Sequence, residues 1–589
     1  MEKNNENLHV LRHSASHVMA QAVQKLFPGT KLAIGPATET GFYYDFDTEH
    51  TFTEDDLRKI EDEMKKIVKE NLIFERYEIP DVQKQIDEFK AQGEIYKAEL
   101  LEEHRNDNPT LYLTKDKNGN VLFNDLCAGP HVPNTTYIKA FKLLNVAGAY
   151  WRGSEKNKML QRIYATAFWT KDDLNAYLTF LEEAAKRDHR KLNAKLDLFS
   201  IHDEVGAGLV LWHPNLAIVR EEIENYWRSE HRKRGYVTVY TPHIAKSKLW
   251  DISGHSAHYR DNMFFIEDEG TEYVLKPMNC PFHILIYKAN RQSYRNLPLR
   301  MAELGTVYRN ERSGQLQGLS RVKGFTQDDA HIFCTPEQLT SEINKIIDFV
   351  DYTLNLFGMK YEAELSTRPE DYVGSLENWE RAEEGLKEAL KVKGLKYEIN
   401  EGDGAFYGPK IDFKLKDALG RTWQCATIQL DFNLPERFEI KYQDKDGQLK
   451  TPVMLHRVIL GSMERFVGVL IEHFAGAFPT WLAPVQVTVV PVAERHADYA
   501  QKIVDELKVE GIRAFADDRS ESMNYKIREA LQDKKVPYVI VVGDKEIENN
   551  EIALRVRGKG AVGTMSTEAF KAAISEEIAK KAVTPQIGG

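Results

Sequence analysis

Apolar positions along this chain follow three different rhythms, and the changes of rhythm mark candidate domains. Up to about residue 165, helical and strand-like patterns are mixed. Asp81 to His104 is charged with helical spacing and stops at Asn106-Asp-Asn-Pro109, so one helix is expected there. Leu111-Tyr-Leu-Thr, the turn-forming Lys117-Asn-Gly-Asn120 and Val121-Leu-Phe predict a hairpin. Thr170 is a fitting N-cap ahead of Asp172 and Asp173. Leu174, Tyr177, Leu178 and Leu181 then recur at helical spacing, predicting a charged helix that runs to about Leu196. Its narrow apolar stripe suits a connector between domains.

Residues 197–484 carry short strand-like runs broken by Gly, Pro and Asn, among them Gly235-Tyr-Val-Thr-Val-Tyr240 and Tyr273-Val-Leu-Lys276. That pattern predicts an antiparallel sheet flanked by helices. The tail has its own rhythm. Val485 to Val492 is apolar and β-branched, 496–509 reads as helix, Gly511 to Ala516 as extended, and 524–533 as helix. Val536-Pro-Tyr-Val-Ile-Val-Val542 then reads as a buried strand. Strands alternating with helices predict a small α/β domain. The chain is thus expected to be multidomain α+β: an N-terminal α+β domain over 1–168, a helical linker over 169–196, a sheet domain over 197–484, and an α/β domain over 485–589.

Composition narrows the class. With 589 residues, 42% hydrophobic and 29% charged, the sequence is ordinary for globular protein, and its length alone predicts about four domains. A net charge of −11 excludes a wholly basic nucleic-acid coat but leaves local basic patches open. No apolar run approaches a membrane span, and the first residues lack a signal peptide's apolar stretch. Four cysteines make a disulfide framework implausible, so a reducing cytoplasm is the expected compartment.

Candidate chemistry begins with His13-Ser-Ala-Ser-His17, two imidazoles one turn apart on a helix face. Alone, the pair reads as two surface histidines. Cys127-Ala-Gly-Pro-His131 adds a thiol and a third imidazole on a shaped loop, the donor set of either a zinc site or a proton-transfer site. Further on, Arg309-Asn-Glu311, a Gly-containing loop and Arg321 are suited to gripping a polyphosphate, because guanidinium forks bind phosphate bidentately. A salt-bridged hairpin is the plainer reading. Gly324-Phe-Thr-Gln-Asp-Asp-Ala-His331 shifts the balance, since two adjacent acids in a partly apolar strand are costly to bury unpartnered. Gly461-Ser-Met-Glu-Arg465 places an arginine in an apolar helix, where it needs an acid or a site.

Taken together, Arg309-Asn-Glu311 with Arg321 resembles motif 2 of class II aminoacyl-tRNA synthetases, and Gly461 to Arg465 resembles motif 3. Lys276-Pro-Met-Asn-Cys280-Pro, the run from Gly324 to Cys334, Phe406-Tyr-Gly-Pro-Lys410 and His456 are similar to the threonyl-tRNA synthetase family in particular. The resemblance covers residues from about 8 to the C-terminus. Bacterial members usually begin with a further small domain that this sequence lacks, so a natural short form or a shortened chain is expected.

The resemblance implies the roles. Cys280, His331 and His456 would bind one Zn²⁺ per subunit, with a position left for threonine's amino and hydroxyl groups. Arg309 would hold the α-phosphate and carboxylate, and Glu311 the adenine amine. Arg321 and Arg465 would meet the β/γ-phosphates and adenine of ATP, with Mg²⁺ bridging phosphates. Asp329 and Tyr407 would meet the threonine amine, Gln327 and Lys410 the carboxylate side, and His255 and Gln429 the ribose of the tRNA 3′ end. Serine lacks only a methyl group, worth about 1–3 kcal/mol, too little for accurate selection. His13, His17, Cys127 and His131, supported by Asp125 and Lys97, would therefore hydrolyse mis-charged seryl-tRNA(Thr). Ser520, Glu546 and Arg555 would read the anticodon of tRNA(Thr), with Lys545, Arg557 and Lys559 adding phosphate contacts. Cys334 and Cys425 are expected to be packed thiols. A homodimer through the catalytic domain is implied, with Val237 to Pro242 similar to motif 1. The competing readings are a synthetase for proline or serine, a catalytically silent RNA-binding paralogue, and a metal hydrolase confined to residues 8–165.

Overall fold

The computed structural model describes residues 2–588, with side chains described from residue 7. The chain forms two compact units that divide between Glu183 and Ala184. Among the described residues no helix is long and apolar enough to cross a membrane.

In the first unit, helix Glu2–Leu26 packs its Leu11, Ala15, Val18, Met19 and Val23 against a four-stranded sheet. That sheet runs Lys31–Leu32, Phe42–Asp47, Met159–Phe168, Ala140–Tyr150. A second sheet joins Ile73–Glu78, Thr110–Lys115 and Val121–Leu126, so the expected hairpin forms. The single helix expected over 81–104 is two, Val82–Gln92 and Ile95–Glu103. Gly93 between them has φ +80°, a left-handed cap that ends the first. The connector helix breaks as well. It runs Lys171–Arg187, then restarts as His189–Leu196 where the Asp188 side chain accepts the Arg190 N–H.

The second unit is built on an eight-stranded sheet. Its order is Val237–Thr238, Leu299–Tyr308, Gly324–Cys334, Val453–Val458, Thr422–Asp431, Lys410–Lys416, Lys360–Ser366, Tyr397–Asn400. All pairings are antiparallel except the first and the last. The strand expected over 235–240 shrinks to the edge pair Val237–Thr238, and Tyr240 is exposed. One sheet face contributes Ala330, Ile332, Cys334, Ile428, Leu430, Phe413 and Leu455 to the main core. Helices Pro214–Lys233, Leu339–Leu356, Leu376–Lys393 and Met463–His473 cover it. Burying each of the Ile, Leu and Phe side chains contributes about 1.5–3 kcal/mol. The opposite face is left for chemistry.

The C-terminal part is a five-stranded mixed sheet, Ala514–Ala516, Val487–Pro491, Tyr538–Val542, Glu551–Val556, Gly560–Ser566. Its first three strands are parallel and the rest antiparallel.

Candidate functional site

Strand period decides which residues of Gly324–Cys334 meet. Side chains alternate between faces, so Gln327, Asp329 and His331 share the open face while Asp328 and Ala330 turn to the helices. His331 is registered directly opposite His456, and His456 opposite Gln429 on the next strand. Cys280 arrives from elsewhere, as the first residue of the helix Cys280–Lys288. The donor atoms of Cys280, His331 and His456 lie within 4.8 Å of one another, all buried.

Each imidazole of this cluster has one nitrogen occupied. His331 Nδ1 lies 2.8 Å from His283 Nδ1, and His283 Nε2 lies 3.1 Å from Glu303 Oε1. His456 Nε2 lies 2.9 Å from Asp431 Oδ2. That leaves Nε2 of His331 and Nδ1 of His456 for the cluster, backed by acids as metal-bound histidines are. Burial holds the His331 ring well below its usual range, in the neutral form that ligates metal, and keeps the Cys280 thiol well above its own, with Asp329 and Asp431 adding to the rise. A divalent cation would reverse the thiol's shift, so the donor set fits zinc.

Two adjoining cavities of about 200 and 260 Å³ share Arg309, Gln327, Thr427 and Val458. The first reaches Cys280, His331, His456, Asp329, Tyr407, Gln429 and Met278. The second reaches Glu311, Arg321, Gly461, Ser462 and Arg465. Arg309 follows the strand Leu299–Tyr308, its guanidinium 5.1 Å from the Phe325 ring centre. Arg321 is paired with Glu311 at 2.9 Å, and Arg465 donates to the Ser320 carbonyl at 3.0 Å. Asp329 accepts from Asn279 at 3.0 Å. The Tyr407 ring centre is 5.0 Å from that of His456.

Two expected residues are outside both linings. Lys410 is turned to Asp412 at 2.7 Å and Asp403 at 3.0 Å, and those acids raise its pKa against the pull of burial. His255 is fully buried, with Nδ1 at 2.7 Å from Ser253 and Nε2 at 2.9 Å from the sulfur of Met278, itself on the wall. Burial depresses the His255 ring to about 3, so it is neutral.

Asp328 is the buried acid whose partner was not visible in the sequence. It accepts the backbone N–H groups of Ile459, Leu460 and Gly461 at 2.9–3.1 Å and lies 3.7 Å from Arg457. Burial still pushes it up to about 6. Asp328 thereby fixes the turn into the Arg465 helix.

In the first unit, the helix Glu2–Leu26 presents His13 and His17, and the loop after Val121–Leu126 brings Cys127 and His131. Cys127 Sγ lies 3.3 Å from His13 Nε2 and 3.2 Å from His131 Nε2. Burial pushes the Cys127 thiol up to about 12 and holds the His17 and His131 rings well below their usual range. The cluster is therefore a neutral thiol among neutral imidazoles. Proton counting goes further at Ser14. Its hydroxyl gives its one hydrogen to the Val10 carbonyl at 2.8 Å and accepts the Val132 N–H at 2.9 Å. It also meets His131 Nδ1 at 3.1 Å, so Nδ1 carries the ring proton and Nε2 faces Cys127 unprotonated. Asp125 accepts from Tyr44 at 2.6 Å, is ion-paired with Lys97, and lies 3.6 Å from His17. Phe74 stacks on His131.

In the C-terminal sheet, Ser520 follows the carboxyl end of Ala514–Ala516 and Glu546 that of the parallel Tyr538–Val542. Arg555 is registered with Val539, toward the strand's other end. Glu546 accepts the Gly543 N–H. Arg557, expected on phosphate, is instead half-buried and donates to the carbonyls of Phe478 and Lys535, pinning this domain to the core. Burial lowers it to about 10. A larger cavity of about 420 Å³ near Phe478, Val485 and Phe515 is lined by Lys534 and Lys535 and by Asp517, Arg519 and Glu529, the last three tied to one another.

Three stretches of the chain match known families. Residues 264–474 match the tRNA synthetase class II core domain (G, H, P, S and T), and 486–577 match the anticodon binding domain. Residues 113–164 match the threonyl and alanyl tRNA synthetase second additional domain. Sheet, cavities and matches define a class II aminoacyl-tRNA synthetase. The threonine–tRNA ligase of Citrifermentans bemidjiense is 56% identical over 577 residues, 98% of this chain and 90% of that one. That of Carboxydothermus hydrogenoformans is 55% identical over 579 residues, 98% and 90%. The chain belongs to the threonine–tRNA ligase family. Among solved structures, the RNA binding domain of threonyl-tRNA synthetase from Cryptosporidium parvum aligns with TM-score 0.64 and 40% identity, covering 68% of this chain and 99% of that one. A putative threonyl-tRNA synthetase from Aeropyrum pernix aligns at 0.60 and 30%, covering 68% and 97%.

Proposed function

We propose that threonine is activated in the two adjoining cavities and that mis-charged seryl-tRNA is cleared at the His13, His17, Cys127 and His131 cluster. The activity is that of the family: threonine is joined to tRNA through a threonyl-adenylate made from ATP with Mg²⁺, and an editing domain accompanies the synthetic core. One observation carries the site reading. Arg309 and Gln327 stand on the shared wall between a cavity with a thiol–imidazole donor set and one lined by Arg321 and Arg465.

Roles follow from position. Threonine in the smaller cavity would meet Asp329 with its amine, and Arg309 would face its carboxylate and the α-phosphate together. Carboxylate attack on the α-phosphorus then needs orientation and charge stabilisation more than acid–base chemistry. Zinc on Cys280, His331 and His456 would supply a Lewis acid that recognises an amine and a hydroxyl, which valine cannot satisfy. Glu311 must release Arg321 to meet ATP. Neutral His255 and Gln429 serve the transfer step, and Lys410 acts through Asp403 and Asp412.

At the editing cluster, unprotonated His131 Nε2 is the base best placed to take a proton from water. We assign hydrolysis to residues 1–168, activation to 197–484 and anticodon reading to 485–589, with Ser520, Glu546 and Arg555 as contacts. A homodimer through the exposed Val237, Tyr240 and Ile244 edge, and a cytoplasmic location suited to four free thiols, complete the proposal. The test is pyrophosphate exchange with threonine, serine and valine, seryl-tRNA deacylation and zinc content on one sample. Exchange with threonine and serine but not valine, with one zinc per chain, is expected. Equal exchange with valine would refute the metal reading.

A further inference from the structure

One buried histidine outside both clusters joins the segments that carry the two nucleotide-facing arginines. His189 is 2% exposed and opens the helix His189–Leu196. Its Nε2 accepts the backbone N–H of Leu319 at 3.0 Å, so the ring proton sits on Nδ1, 2.7 Å from Glu472 Oε1. Glu472 also accepts the His189 N–H at 3.2 Å, and its second oxygen meets Arg421 at 2.6 Å. Glu472 lies in the last turn of Met463–His473, and Arg465 in the first turn of that helix donates to Ser320. The circuit is closed: His189 to Leu319, Ser320 to Arg465, along the helix to Glu472, and back to His189.

Gly318 is shaped for this contact. Its φ is +46°, and a Cβ there would stand 2.2 Å from His189 Nε2. Asp188, His189 and Glu472 are close enough to suggest a cation site, but both imidazole nitrogens are already bonded, which removes the ring as a ligand.

We infer that His189 is a positioning residue for the nucleotide grip, setting the loop that bears Arg321 against the helix that bears Arg465. The inference rests on the assignment of those arginines to ATP. Threonine-dependent pyrophosphate exchange, with ATP and threonine varied separately, tests it on full-length His189→Ala, His189→Gln and Gly318→Ala enzymes. His189→Ala and Gly318→Ala should raise KM for ATP about tenfold, the worth of roughly one buried hydrogen bond. KM for threonine should stay within about twofold. His189→Gln, whose amide oxygen reaches the place of Nε2, should restore most of the loss. Equal change in both KM values, a fall in kcat alone, or no rescue by glutamine overturns the inference. Arg465→Ala separates the causes. If it raises KM for ATP and His189→Ala does not, the positioning role is wrong; if it leaves KM for ATP unchanged, the ATP assignment fails and takes this inference with it.

Discussion

At the sheet cluster each imidazole is backed by an acid, Asp431 behind His456 and Glu303, through His283, behind His331. At the helix–loop cluster Cys127 is bonded directly to His13 and His131, and the nearest carboxylate, Asp125, is 3.6 Å from His17. The donors are nearly the same. What differs is where the second nitrogen of each ring goes. Acid backing suits a ring to be a metal ligand, while a ring set against a neutral thiol and a serine hydroxyl is suited to accept a proton. The lesson is that a list of cysteines and histidines does not name a chemistry; their outer partners do.

Four measurements would break or sharpen this contrast. The largest effect is expected from Cys280→Ala, which should cut threonine-dependent pyrophosphate exchange on the order of a thousandfold and release zinc, while seryl-tRNA deacylation persists. Cys127→Ala or His131→Ala should do the converse, slowing deacylation by about 10²–10⁴ with activation unchanged. Deacylation at the wild-type rate would remove the cluster's role. Asp431→Asn should weaken metal retention by about 10–100-fold in chelator competition, because His456 loses its acid backing.

The smallest effect concerns pH. Cys127 sits at about 12 when folded against an ordinary value of 9.0, so the fold favours the protonated thiol. Its contribution to stability is intact below pH 9 and is lost as pH rises from 9 toward 12. Alkylation of Cys127 by iodoacetamide should accordingly climb without levelling through pH 10. A plateau near pH 8 would show a thiolate and align this cluster with the other one.

Much of this was legible in sequence, though unevenly. The apolar run near Val485 and the hairpin around Asn118 depend on local period and turn chemistry, and they form as expected; His13 and His17 share a helix, but His17 is buried rather than at the surface. Helix breaks at Gly93 and Asp188 were missed because charged residues on either side continue the helical spacing across them. Cys280, His331 and His456 are separated by 51 and 125 residues; strand register joins the two histidines, and the start of the helix Cys280–Lys288 brings in the thiol. Family resemblance could assemble them; spacing could not. Asp328 was visible as a costly buried acid, but its partners are backbone N–H groups of Ile459 to Gly461, which carry no sequence signature. Arg557 read as a phosphate contact for the same reason: its carbonyl partners are invisible in sequence.

The alternation along Gly324–Cys334 makes this strand a parity code. Odd positions Gln327, Asp329 and His331 address the two adjoining cavities, and even positions Ala330, Ile332 and Cys334 address the core. Inserting or deleting one residue ahead of Gln327 would exchange the two alphabets, sending a donor imidazole into packed hydrocarbon and an isoleucine toward the cavity. Point substitutions here can be graded by size or charge, but a change of length by one has no mild form.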